Sequence, residues 1–270
     1  MTIDTNSKKP GTERASFQGA ASKEASLDPG QFDCLVKSIQ AAKSMSHSPI
    51  TNIESSKMTG FLRNGAGYFS LDLKQALNID LGMNFLIGEA EVKALSSFRQ
   101  STKVYILNSD DRDFIEITDH SKTLHLQKSL RKSQGFQMPD SSKMKQVGVP
   151  VTVKEFKVFR SDLAQSHQSF VILYLFNGQL LALRIPGQGP VVLDPAAYEE
   201  CVGKSDRIFK SHALGLVPGE ETTLAVLSGY ERYWVQATSE IAMGVKLEIL
   251  EAFSASERDV TYNQKGERNG

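Results

Sequence analysis

The strongest constraint in this chain is an order of strand-like and helix-like patterns that occurs twice. In the first half, MNFLIG (83–88) reads as a strand and EAEVKALSSFRQ (89–100) as a helix. The stretch KVYILNSDDRDFIEITDHSKTLHLQKS (103–129) follows as three strands. The helix would bury Val92, Leu95 and Phe98, with Glu89 and Glu91 at the positive end of its dipole. The strands are Lys103–Leu107, Phe114–Thr118 and Thr123–Gln127, and their alternation fits a sheet with one buried face. In the second half the corresponding helix is Phe209–Leu216, stopped by Pro218-Gly219. Three strands follow in TTLAVLSG, RYWVQATS and GVKLEILEAF. The two halves share a pattern and almost no identity.

Other elements surround these units. Asp28 suits a helix N-cap and Pro29 the first helical position; Phe32, Leu35, Val36 and Ile39 then form an apolar stripe. FLRNGAGYFSLDL holds two short strands around Asn64-Gly65, and FVILYLF and QLLALRI flank Asn177-Gly178; both read as hairpins. VPVTVKEFKVF reads as extended, and Ser161–His167 as a short helix. DPAAYEECV (194–202) is a further helix candidate behind Asp194. Residues 1–27 and 255–270 carry almost no large apolar side chains and read as disordered tails. Between the halves, Lys128, Arg131, Lys132, Lys143 and Lys145 face one acid, Asp140. This predicts a basic linker over 131–149, between a domain at 28–130 and another at 150–254.

The formal net charge is zero, which argues against a uniformly basic nucleic-acid binder and leaves room for a local basic surface. The two cysteines, Cys34 and Cys201, form no CxxC pair, so a disulfide framework is not expected. No apolar run approaches the roughly 20 residues of a membrane helix, and the first residues lack a signal-peptide core. The expectation is an intracellular protein.

Catalytic signatures are missing. There is no GxSxG, HExxH or full GxxxxGK[ST], since Gly203-Lys204-Ser205 has Tyr198 in place of the first glycine, and neither Gly-rich stretch joins a strand to a helix. Asp119, His120 and His125 fall on a turn and a strand, which does not make them converge on a metal. Asp110, Asp111 and Asp113 lack the Gly and closing Glu of an EF-hand loop and suit a turn. Both cysteines read as packing residues. No metal, cofactor or catalytic residue is expected.

The stretch from Met83 to Ser129, and its second copy from Phe209 to Phe253, resemble the repeated unit of the DNA sliding clamps of tailed phages and, more distantly, of proliferating-cell nuclear antigen. The resemblance implies an α+β fold: two similar clamp-like domains, each an antiparallel curved sheet with helices on one face, between disordered termini. It implies a non-catalytic processivity factor, a homotrimeric ring that encircles duplex DNA without reading sequence. Its partners would be a DNA polymerase and a clamp loader, with no membrane involved. Diffuse positive charge suits such a ring, because phosphate attraction is sequence-independent. The inward helices would then carry Lys37, Lys43, Lys93, Arg99, Lys157, Arg160 and Lys210. Partner peptides would dock near Phe136, Met138 and Val147, and Lys122–Ser129 would be a subunit-pairing edge. The chain departs from the family where a full helix is expected early in the second domain and only SDLAQSHQ is visible. Rival readings are a phage structural or assembly protein with a β-rich core, and a small hydrolase with an unrecognised site.

Overall fold

The computed structural model describes residues 22–46, 50–54, 57–65, 67–77, 83–128, 138–176, 179–193, 195, 196, 198 and 207–253. The first half runs β1 (Ser22–Leu27), α1 (Pro29–Met45), β2 (Ile50–Glu54), β3 (Lys57–Phe61), β4 (Gly67–Asp72), α2 (Lys74–Leu77), β5 (Met83–Leu86) and α3 (Glu89–Ser96). A 3-10 turn at Ser97–Gln100 leads to β6 (Val104–Ser109), β7 (Phe114–Thr118) and β8 (Thr123–Gln127). The second half runs β9 (Lys145–Val153), α4 (Phe156–Gln165), β10 (Val171–Phe176), β11 (Gln179–Arg184), β12 (Pro190–Val192) and β13 (Arg207–Ser211). A 3-10 turn at Leu214–Leu216 precedes β14 (Thr222–Gly229), β15 (Arg232–Ala242) and β16 (Val245–Ala252).

The halves repeat one topology. Two four-stranded sheets have the orders β1-β6-β7-β8 and β12-β11-β10-β13, and an eight-stranded sheet has the order β5-β2-β3-β4-β16-β15-β14-β9. With β1 matched to β9 and each later strand to its counterpart, every pairing inside one half recurs inside the other. The halves fuse where β4 pairs antiparallel with β16, from Lys246↔Asp72 to Glu251↔Gly67. The backbones approach closely there: a Cβ on Gly67 would sit 2.2 Å from the Leu250 carbonyl oxygen. The expected α+β architecture with antiparallel sheets is present, but the sheets are not confined to one per domain. Each half contributes four strands to a shared sheet.

Local chemistry accounts for most elements. Asp28 caps α1: the Gln31 N–H donates to Asp28 Oδ1 at 2.8 Å, and the Gln31 side chain accepts from the Asp28 N–H at 3.1 Å. The α1 stripe Phe32, Leu35, Val36 and Ile39 is buried, and Phe32 meets Phe98 edge-on at 6.2 Å. In α3 the Glu91 carboxylate accepts from the Gly88 N–H at 2.8 Å. Strands β7 and β8 have the predicted bounds.

Four expectations change. Ser22–Leu27 is not tail but β1, paired with β6 from Ser22↔Ser109 to Leu27↔Val104; it buries Ala25 and Leu27. Two apolar residues make a weak local signal, and the strand depends on its distant partner. The basic linker ends early: Asp140 caps a 3-10 turn at Ser141–Lys143, and Lys145 already begins β9. Gly148 takes φ +79°, and the β9–β14 register shifts beside Val147. The segment predicted as extended folds from Phe156 as α4, because Phe156, Phe159 and Leu163 share a helical face while Val158 points outward. Phe209–Leu216 is not a helix. Residues through Ser211 pair with β10, and Pro218, which disfavours helical geometry at the residue before it, leaves space for only a single 3-10 turn. Residues 1–21, 129–137, 254–270 and most of 194–202 lie outside the described residues.

Candidate nucleic-acid interface

The helices carry the candidate DNA-facing side chains, and one acid organises those of the first half. Asp33 on α1 binds Lys37 at 2.8 Å, one turn along. It also binds Arg99 Nε at 3.1 Å, and Arg99 reaches Gln40 at 3.4 Å. Lys37 and Arg99 are thereby brought together between α1 and the turn after α3. Lys93 is exposed on α3, and Lys43 is half-buried near the end of α1. On α4, exposed Lys157 pairs with Glu220 at 3.1 Å, while half-buried Arg160 donates to the Val217 carbonyl at 2.6 Å. Lys210 is not on a helix. It lies half-buried on β13, its ammonium 5.1 Å from the centre of the Phe170 ring.

α1, α3 with its following turn, and α4 together carry six basic and four acidic residues. The helical surface is thus weakly positive, and three of its cations are already matched to acids. Lys122, expected only as the start of a pairing edge, lies over Phe98 at 4.8 Å and donates to the Ser97 carbonyl at 2.5 Å. Its neighbour Asp119 accepts from the Ser101 and Ser121 hydroxyls, which hold its carboxyl well below the usual range.

The other face of the eight-stranded sheet divides in two. Successive side chains of a strand point to opposite sides. Leu224, Val226, Val235, Ala237, Leu247 and Ile249 therefore enter the main core, while Ala225, Leu227, Trp234 and Leu250 form a second apolar layer outside it. Met144 is buried in that layer, and Tyr68 and Met138 pack against it. A Cβ on Gly229 would stand 2.7 Å from Met144 Cγ, so the glycine seats the segment over the sheet. The rings of Phe61 and Tyr68 are 5.2 Å apart, and those of Tyr68 and Trp234 are 6.3 Å apart. Phe61 remains 54% exposed. Tyr230 and Glu231 turn between β14 and β15 with φ of +53° and +61°, a conformation that favours glycine or asparagine. Tyr230 is 53% exposed there, and its hydroxyl accepts from the Asp140 N–H at 3.3 Å.

Of the expected docking residues, Met138 lies at this patch. Val147 packs against the main core instead, and Phe136 lies outside the described residues. The other end of the same face is a polar groove of about 1080 Å³, with Asp72, Glu240 and Glu248 set against Lys57 and Lys246. Glu220 and Glu221 also line it, so its charge is acidic and unsuited to a phosphate backbone.

Other titratable side chains singled out in the sequence contact their neighbours. His120 lies against Tyr105 at 4.6 Å; His125 lies against Phe114 at 4.3 Å and reaches Glu116 at 3.6 Å. Asp111 accepts from the Ser109 hydroxyl inside its turn, which lowers its carboxyl pKa. Burial and the neighbouring Asp33 push the Cys34 thiol up, away from nucleophilic character. Cys201 lies outside the described residues. Among those residues no three His, Cys, Asp or Glu side chains group as metal ligands, and no helix is long and apolar enough to cross a membrane.

No protein-family model and no curated protein matches the sequence. Solved structures do match the fold. Proliferating cellular nuclear antigen from Entamoeba histolytica aligns with a TM-score of 0.57 at 12% identity, over 87% of this chain and 99% of that one. The PCNA2–PCNA3 complex from Sulfolobus tokodaii aligns with a TM-score of 0.55 at 10% identity, over 87% and 100%. A. fulgidus PCNA bound to the C-terminal region of FEN-1 aligns with a TM-score of 0.53 at 11% identity, over 87% and 99%. The repeated topology and these alignments together show that the chain has the sliding-clamp fold.

Proposed function

We propose that this chain is a subunit of a ring-shaped DNA sliding clamp, a non-catalytic processivity factor that tethers a DNA polymerase to duplex DNA. The observation that carries the reading is the β4–β16 join. By the internal repeat, β4 corresponds to β12 and β16 to β8. Within the chain β4 and β16 pair, whereas β12 and β8 stand at the edges of their sheets. Making the same join between chains sets β12 of one subunit against β8 of the next. This head-to-tail pairing closes a ring and removes both edges. β12 presents exposed Val191 and Val192 for it, and β8 falls within the edge expected at Lys122–Ser129.

A homotrimer with six repeated domains is the proposed ring. Its helices supply a weakly basic lining through Lys37, Lys43, Lys93, Arg99, Lys157 and Arg160. Such a lining suits retention by enclosure: the duplex is held because the ring is closed, and slides because no base is read. The aromatic patch around Phe61, Met138 and Trp234 is the proposed dock for polymerase and clamp-loader peptides. That a clamp of this fold is seen with the C-terminal region of FEN-1 bound supports a peptide-docking surface. The test is retention on covalently closed circular DNA against a short linear duplex. Loss from the linear duplex alone supports enclosure; equal release from both contradicts it.

A further inference from the structure

The aromatic patch has a candidate occupant within this chain. We propose that the segment after Phe253 folds back onto the patch through Val260 and Tyr262 and competes there with partner peptides; this rests on the reading of the patch as a peptide dock.

The root of the segment lies at the patch. The Phe253 N–H donates to the Tyr233 carbonyl at 2.9 Å, extending the β15–β16 ladder one step beyond Trp234↔Ala252. Phe253 itself turns into the main core and stacks on Phe209 at 3.8 Å, which anchors the end of β16. Ala252, paired with Trp234, packs against the patch two residues before the segment begins, and Phe61 and Tyr68 stand on the strands beyond it. The sequence from 254 to 270 is SASERDVTYNQKGERNG, whose only large apolar side chains are Val260 and Tyr262. Spaced two apart, they share one face of an extended chain. From Phe253 to Tyr262 an extended chain spans roughly 30 Å, enough to cross the patch. Glu257 and Asp259 precede the apolar pair, and exposed Arg63 and Arg232 flank the patch in the chain. A tether of this length sets a local concentration on the order of millimolar, so weak contacts suffice for occupancy.

The experiment uses the full-length chain and a full-length V260S/Y262S variant. Trp234, the only tryptophan, reports on the patch by fluorescence. Two probes are titrated: a synthetic peptide of residues 254–270, and a short peptide carrying two adjacent phenylalanines. The expected result is that both probes bind the variant about tenfold or more tighter than the wild-type chain. A Phe-Phe peptide that binds both chains equally overturns the tail proposal and leaves the peptide dock standing. A Phe-Phe peptide that binds neither chain, while the 254–270 peptide binds the variant, overturns the dock and upholds the tail contact. Failure of both probes on both chains overturns both.

Discussion

The Glu251 carboxylate accepts the backbone N–H of His212 at 2.9 Å, inside a junction where both halves of the chain meet. Glu251 is 4% exposed and also accepts from the Ser211 hydroxyl and the Ala213 N–H. Asn64, in the turn after β3, donates to the His212 carbonyl at 2.8 Å. β16, β13 and the β3–β4 turn are thus tied at one buried acid. Burial pushes the Glu251 carboxyl up despite its donors.

That shift has a sign. A folded-state pKa above the unfolded one means the folded chain holds the proton more tightly. Its contribution to stability is full below the ordinary carboxyl range and is lost as pH rises through the raised value. Glu251→Gln cannot titrate, so this part of the pH dependence should vanish. The glutamine also turns an NH2 toward one donor, at a cost of roughly 1–3 kcal/mol. Denaturant unfolding between about pH 4 and about pH 8 should show the variant least stable relative to wild type at the acid end, with the gap narrowing as pH rises.

Asp33 neutralises part of the helical face by holding both Lys37 and Arg99. Asp33→Asn should release both cations and strengthen retention on DNA. Lys37→Ala or Lys93→Ala should lower the slope of log affinity against log salt by roughly 0.9 for each phosphate no longer neutralised. Binding measured across a salt series separates these outcomes.

Lys210 provides the contrasting case. It sits on β13 beside Phe170 and not on the helices that line the proposed ring. Lys210→Ala should leave the salt slope unchanged. A reduction equal to that of Lys93→Ala would return Lys210 to the interface.

Gly229 tests how the patch is built. Gly229→Val drives a branched side chain into Met144, and overpacking of this kind costs about 1–3 kcal/mol. Because Trp234 Nε1 donates to the Gly229 carbonyl at 2.9 Å, tryptophan emission should shift along with the loss of stability.

What could be read in the sequence was local. The Asp28-Pro29 cap, the α1 stripe, the β6–β8 meander and the Asn64-Gly65 turn each carry their signal within a few residues. β1 did not, because Ala25 and Leu27 make a strand only against β6. α4 was hidden by Glu155-Phe156-Lys157-Val158, whose alternation imitates a strand until Phe159 and Leu163 complete a helical face. Lys210 was assigned by analogy between halves, and the analogy failed where Gly215 and Pro218 shorten the second helix to one turn. The candidate cations were legible as residue types. Their strength was not, since Asp33 meets Arg99 only after folding. The β4–β16 join pairs strands from the two halves of the chain, and no local pattern sets its register.

A ring closed by β12 against β8 fixes the mass of the assembly in solution. Sedimentation equilibrium of the wild-type chain should give three times 29.7 kDa. A V191D/V192D variant, with charges on the β12 edge, should sediment as a single folded chain that is no longer retained on circular DNA. A wild-type monomer, or an assembly indifferent to charges on β12, would contradict the account.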